Sequence, residues 1–191
     1  MCGHATLASA FVLFDILGYN KDTILFETRS GKLAVTKEPS GTLSMDFPSK
    51  QTTVCEAPQA LCRALGIKPI QTLVGTEYVA VLKNAEEVKN LNPDFSLLAT
   101  LDKRAVIVTA KGNDCDFVSR FFAPKLGVNE DPVTGSAHCA LAPYWASKLN
   151  KTILHAKQLS KRGGEIECEL VDDRVMLRGY AVKYMSGEIE I

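Results

Sequence analysis

Asp131 has the setting in this chain that most invites chemistry. It stands in the run NEDPVTGSAH, with Pro132 directly after it and Gly135 four places on. Proline confines the residue before it to extended backbone, so the direction of the Asp131 side chain is set locally. A glycine loop that opens straight into an apolar helix leaves unbonded N–H groups at the positive end of the helix dipole, which is how proteins commonly hold anions. A carboxylate beside such a site is placed for general acid or base work. Equally, Asp before Pro at a helix start is a common turn or capping residue. Ser136 carries the same two readings, as a helix cap or as a hydroxyl and N–H offered to a bound carboxylate.

The start of the chain, MCGHATLASA, repeats this pattern. Aligning CGHATLASA with TGSAHCALA matches Gly3, Ala5, Ala8 and Ala10 to Gly135, Ala137, Ala140 and Ala142. Both helices are apolar nearly all round, a pattern that predicts burial. Alanine-rich helices also coincide by chance. A duplicated fold would instead aim two glycine-led helix termini at one cleft, each favouring a carboxylate by up to about 1 kcal/mol. His4 occupies the first loop at the position that Ser136 holds in the second. A lone histidine is more often structural, but one at a glycine-led helix start can give or take a proton.

The elements that would position these residues follow from the pattern. Residues 5–17 read as one helix. DTILFET, GKLAVTKE and TLSMDF then form an antiparallel meander, with turns at Ser30-Gly31 and Ser40-Gly41. FPSKQTTVCEAP breaks the pattern and reads as a crossing between lobes. A helix over 58–65 capped by Gly66 comes next, then strands in QTLVG and YVAVLK, short surface helices in NAEEVKNL and DFSLLATL, and strands in RAVIVTAK and CDFVSRFFAP. After the helix SAHCALAPYWASKLN, four strand-like runs close the chain: TILHAKQL, EIECELV, RVMLRGYAV and GEIEI. The fold class is α/β of the α+β type, with mainly antiparallel pairing, because consecutive runs are joined by turns. The expected division is 1–50 for the remainder of an N-terminal lobe, 51–182 for a C-terminal lobe, and 183–191 for a last strand returning to the N-terminal lobe.

The totals narrow the classes of function. The chain has 191 residues, and its 22 basic and 22 acidic residues cancel. Without a basic stripe or charge run, nucleic acid and anionic membranes are poor partners and small molecules are better ones. The longest apolar stretch, 5–17, contains Thr6, Ser9 and Asp15 and falls short of the roughly 20 residues that span a bilayer. It lacks a basic leader, so the expected compartment is the cytoplasm. Six cysteines without CxxC spacing read as reduced thiols rather than a zinc site, and no metal is expected.

CGHATLASA, SRFFAP, EDPVTGSAH, PYW and QLSKRGG together resemble the PhzF-like family of phenazine biosynthesis, which is related to diaminopimelate epimerase, and the resemblance spans essentially the whole chain. It implies two pseudo-symmetric lobes, each a mainly antiparallel sheet wrapped round a central helix, with the site between them. It also implies an isomerase in a biosynthetic process, which shifts a proton within a small cyclic amino acid without metal or organic cofactor. By the same resemblance His4, Asp131 and Ser136 fall on catalytic or binding positions, and Gly3 and Gly135 on the loops that hold the substrate carboxylate. Gln158, Ser160 and Arg162 keep the family pattern, which makes Arg162 a candidate for holding a carboxylate or the lobes, although Gly163-Gly164 also suits a plain turn.

The family carries a further segment before CGHAT, with a glutamate in an SET context as principal acid/base. The chain is therefore expected to be truncated, with an incomplete N-terminal lobe, a partly uncovered first helix and impaired catalysis. A homodimer or a complementing N-terminal fragment would be the natural partner. The alternative function is a non-catalytic remnant that binds small carboxylates or a protein. A two-thiol racemase ranks last, since Cys2 could serve one side but its match is Thr134, whose hydroxyl is too weak an acid.

Overall fold

A computed structural model describes residues 3–28, 31–188 and 190. The first helix, α1 (Gly3–Phe11), passes into a single wider turn, Val12–Ile16, in which the Leu17 N–H donates to the Val12 carbonyl at 2.9 Å. The meander follows as β1 (Thr23–Thr28), β2 (Gly31–Lys37) and β3 (Leu43–Pro48), in antiparallel register. Gly41 takes φ +83° in the second turn, a conformation in which glycine has no Cβ to strain. Ser30, expected in the first turn, lies outside the described residues.

The crossing contains a short strand that the pattern did not predict, β4 (Thr53–Cys55), before α2 (Gln59–Leu65), which Gly66 ends at φ +68°. Then come β5 (Gln71–Val74), β6 (Tyr78–Val81), α3 (Ala85–Lys89) and α4 (Phe95–Leu98). The two short helices start where Asn84 and Asp94 accept hydrogen bonds from the N–H groups of Glu87 and Leu97, satisfying donors that a helix start leaves unbonded. β7 (Val106–Lys111), β8 (Phe117–Ala123), β9 (Val128–Asp131), α5 (Gly135–Leu149), β10 (Ile153–Gln158), β11 (Gly164–Val171) and β12 (Arg174–Gly179) complete the order.

The strands form one sheet in the order β1-β2-β3-β12-β11-β10-β8-β7-β6-β5-β4, with β9 added on β8. Pairing is antiparallel except for β6 with β7 and β8 with β10. Those two pairs are bridged by α3 with α4, and by β9 with α5, as parallel neighbours require. The pairing of β12 with β3, from Arg174↔Pro48 to Gly179↔Leu43, joins the two lobes into one surface.

Period-2 alternation divides the C-terminal strands between two cores. Val79, Val81, Ile107, Phe117 and Phe121 face α5, while Tyr78, Ala80, Val106, Val108, Val118 and Phe122 face the layer of α2, α3 and α4. α5 is accordingly buried along most of its length, from Ala137 to Ala142 and again at Trp145 and Ala146.

The two long helices differ here, contrary to the expectation from their shared pattern. α1 buries only Gly3 and Ala10, while Ala5, Ala8 and Ser9 are exposed and Val12 and Ile16 are 40% and 48% exposed. The reason is one-sided cover, since α1 packs on β3 and the start of α5, with Leu7 against Gly179 at the end of β12. Residues 180–188 take no regular structure, and Tyr180, Val182, Tyr184 and Met185 are exposed. Ile189 and Ile191 of GEIEI lie outside the described residues.

Candidate active site

Asp131 is the last residue of β9, opposite Phe121 in the register with β8. β9 is short and polar and would not hold by packing alone. Arg120 on β8 supplies the hold: its Nε donates to Glu130 Oε1 at 2.7 Å and its Nη2 to Glu130 Oε2 at 2.9 Å. Such a two-pronged pair fixes orientation as well as charge. The Arg120 Nη1 also donates to the Leu91 carbonyl at 2.6 Å, tying β9 to the segment after α3.

The turn from Asp131 to α5 is held at every polar atom of Thr134. Its N–H donates to Gln158 Oε1 at 2.8 Å, and its hydroxyl donates to Asp131 Oδ2 at 2.5 Å. Its carbonyl accepts from Ala137 N at 3.2 Å and lies 2.8 Å from His138 Nδ1. Gln158, 1% exposed, closes the turn from the end of β10, with its Nε2 donating to the Asp131 carbonyl at 2.6 Å and to Thr134 Oγ1 at 3.1 Å. Ser160 donates to the Pro132 carbonyl at 2.8 Å and accepts from Gly163 N at 3.0 Å. The two glycines of the SKRGGE run have different duties. Gly163, at φ +71°, makes the turn, whereas a β-carbon on Gly164 would lie 2.3 Å from Val133 Cγ2.

The starts of α1 and α5 abut. A β-carbon on Gly3 would lie 3.8 Å from the Gly135 Cα, and one on Gly135 would lie 4.0 Å from the Gly3 Cα and 3.3 Å from Leu177 Cδ1. The positive ends of the two helix dipoles therefore lie side by side. His4 follows one of these glycines and Ser136 the other, exposed and half-buried respectively.

His138 was not singled out by the sequence pattern. It is fully buried, one turn into α5, with its ring 5.8 Å from that of Phe117. Burial lowers its pKa to about 4, against the smaller opposing effect of the Thr134 carbonyl, so the ring is neutral near pH 7. A carbonyl can only accept, which puts the proton on Nδ1 and, among the described residues, leaves Nε2 without a hydrogen-bond partner. A histidine on a largely apolar helix was the available signal.

Gly3 and Gly135 thus lie together, with His4 and Ser136 next to them in the chain and Asp131 bonded to Thr134 just before Gly135. Arg162 is exposed in the connection from β10 to β11, lining a depression of about 450 Å³ with Glu130, Pro132, Ser160 and Lys161. From the QLSKRGG run it is Gln158 and Ser160 that bond the Asp131 turn. Cys2 lies outside the described residues, and the Thr134 hydroxyl is committed to Asp131. Among the described residues, no cluster of histidine, cysteine and carboxylate side chains is arranged to hold a metal ion. No helix among them is long and apolar enough to cross a membrane.

Residues 1–187 match the PhzC-PhzF family, described as phenazine biosynthesis-like protein. The chain is 49% identical over 192 residues to a protein of Pseudomonas aeruginosa named an uncharacterized isomerase, covering 100% of this chain and 73% of that protein. It is similar to the crystal structure of a PhzF-family phenazine biosynthesis protein from Enterococcus faecalis, with a TM-score of 0.96 and 45% identity, over 100% of this chain and 74% of the other. A PhzC/PhzF protein from Clostridium difficile matches with a TM-score of 0.93 at 42% identity, over 100% and 74% of the two chains.

Proposed function

Because the chain belongs to the PhzC-PhzF family, whose relatives include proteins named isomerases, we propose that it handles a proton on a small carboxylate or amino-acid-like substrate at the facing starts of α1 and α5. The observation that carries this reading is the close approach of Gly3 and Gly135 with Asp131 four residues before the second glycine. N–H groups from two helix starts hold the substrate carboxylate. Removing a proton from the adjoining carbon pushes negative charge toward that carboxylate, where the same donors stabilise it without reorganising. The Asp131 carboxyl takes the proton from one carbon and returns it to another, and His4 is the second group able to carry it. Ser136 and Arg162 bind the substrate. Proton transfer of this kind runs on side chains alone, in line with the family resemblance and without metal or organic cofactor.

The test is incorporation of solvent deuterium into a panel of cyclic amino acids and ring carboxylic acids, followed by NMR. Asp131→Ala is expected to lower the exchange rate by about 10²- to 10⁴-fold. Exchange that is unchanged in Asp131→Ala would exclude Asp131 as the proton carrier.

A second reading is favoured by one observation, the exposed side of α1 together with the exposed apolar residues at 180–185. In that reading the chain binds small carboxylates or a protein without turning them over. A second copy covers the exposed side of α1. The described cysteines, Cys55, Cys62, Cys115, Cys139 and Cys168, are all free thiols, which supports a cytoplasmic setting under either reading.

A further inference from the structure

We propose that Gln158, acting through Thr134, is a positioning residue that assigns the proton-carrying role at Asp131 to a single oxygen, Oδ1. The inference rests on the reading of Asp131 as an acid/base and deepens it.

The orientation of the Gln158 amide is not free. Its Oε1 faces the Thr134 N–H at 2.8 Å and its Nε2 faces the Asp131 carbonyl at 2.6 Å. Turning the amide over would set N–H against N–H and oxygen against oxygen. Its second Nε2 hydrogen must then point at Thr134 Oγ1, 3.1 Å away. That contact makes the Thr134 oxygen an acceptor toward Gln158 and leaves its own hydrogen to find an acceptor elsewhere. Among the described residues Asp131 Oδ2, at 2.5 Å, is the acceptor in reach.

Thr134 is 7% exposed and Gln158 1%, so water is a poor substitute for either partner. If Asp131 carried a proton on Oδ2, that proton would meet the Thr134 hydroxyl hydrogen. The hydroxyl would have to turn away and bury a hydrogen with no acceptor. A proton on Oδ1 meets no such obstacle, because no hydrogen-bond donor is found on Oδ1 among the described residues. During turnover the proton therefore arrives at Oδ1 from one substrate carbon and leaves Oδ1 for another, with Oδ2 an acceptor throughout. One buried amide thus aligns the oxygen that reacts, at a distance of two hydrogen bonds from it.

The test compares NMR spectra of the full chain with those of Thr134→Ser, Thr134→Val and Gln158→Met, with no ligand added. The expected result is that both Gln158 side-chain amide hydrogens are protected from solvent exchange in the unsubstituted protein and in Thr134→Ser, and that one loses protection in Thr134→Val. The carboxyl carbon of Asp131 shifts in Thr134→Val and in Gln158→Met and is restored by serine. An Asp131 carboxyl signal that is the same in all four proteins overturns the proposal, as does a Gln158 amide that exchanges like a surface glutamine. If Thr134→Val does not fold, Gln158→Met reads the same coupling. No substrate is needed, so failure here is distinct from failure of the isomerase reading, which the deuterium exchange of Asp131→Ala decides.

Discussion

His138 shows how much one buried residue can say about pH. Its folded-state pKa, lowered to about 4 by burial, lies below the ordinary value of 6.5. The unfolded chain therefore binds a proton that the folded chain refuses between those two values. The contribution of a neutral His138 is complete above about pH 6.5 and is lost as pH falls toward about 4, a change on the order of 3 kcal/mol. Melting temperature is expected to fall through this window, and less steeply in His138→Gln, which has an amide to donate to the Thr134 carbonyl but no ring to titrate. Equal slopes for the two proteins would assign the acid sensitivity to other groups. Gly164 makes a second case at this scale. With Val133 Cγ2 at 2.3 Å from the position of an added methyl, Gly164→Ala must displace the Asp131 turn and is expected to cost about 1–3 kcal/mol. Val133→Ala in the same chain should recover part of that loss, as a double-mutant cycle on melting curves will show. The sequence pattern made the Gly163-Gly164 pair a turn, which is half of the finding. The close approach of Val133 was not legible, because it joins segments 31 positions apart.

At the scale of elements, most of the order could be read from residue types and spacing. The meander, the Gly66 cap, the Asn84 and Asp94 helix starts and α5 stand where the pattern put them. Two strands could not be read. β4 and β9 are three and four residues long and lack an apolar alternation; they exist because β5 and β8 offer them an edge. β9 matters for the site, since it and the Arg120–Glu130 pair place Asp131 at a strand end that the residue pattern does not signal. The matched pattern of α1 and α5 was a sound guide to where the helices begin and a poor one to their burial. Periodicity describes a helix, while burial depends on how many neighbours surround it. Val12 and Ile16, 40% and 48% exposed, are therefore expected to tolerate lysine within about 0.5 kcal/mol. The double substitution Val12→Lys and Ile16→Lys should leave the melting temperature nearly unchanged and reduce self-association in sedimentation. A large loss of stability instead would mean that this side of α1 is covered in the isolated chain.

At the scale of the whole molecule, a single sheet runs through both lobes, joined where β12 pairs with β3. The core around α5 continues through Leu177 and Met45 to Phe47, Val35 and Phe14. The two helix starts are held against each other by this continuity, which the repeat in the sequence suggested and which no local pattern could have measured. Under the proposed function, the same continuity sets the two glycine-led termini against one ligand. The most direct measurement is an amide NMR titration of the ¹⁵N-labelled chain with small ring carboxylates. The account predicts that a carboxylate which binds will move the amide signals of Gly3, His4, Gly135 and Ser136 together, along one saturation curve. Movement at only one helix start, or separate curves for the two, would contradict a shared site, as would a panel in which no carboxylate moves either.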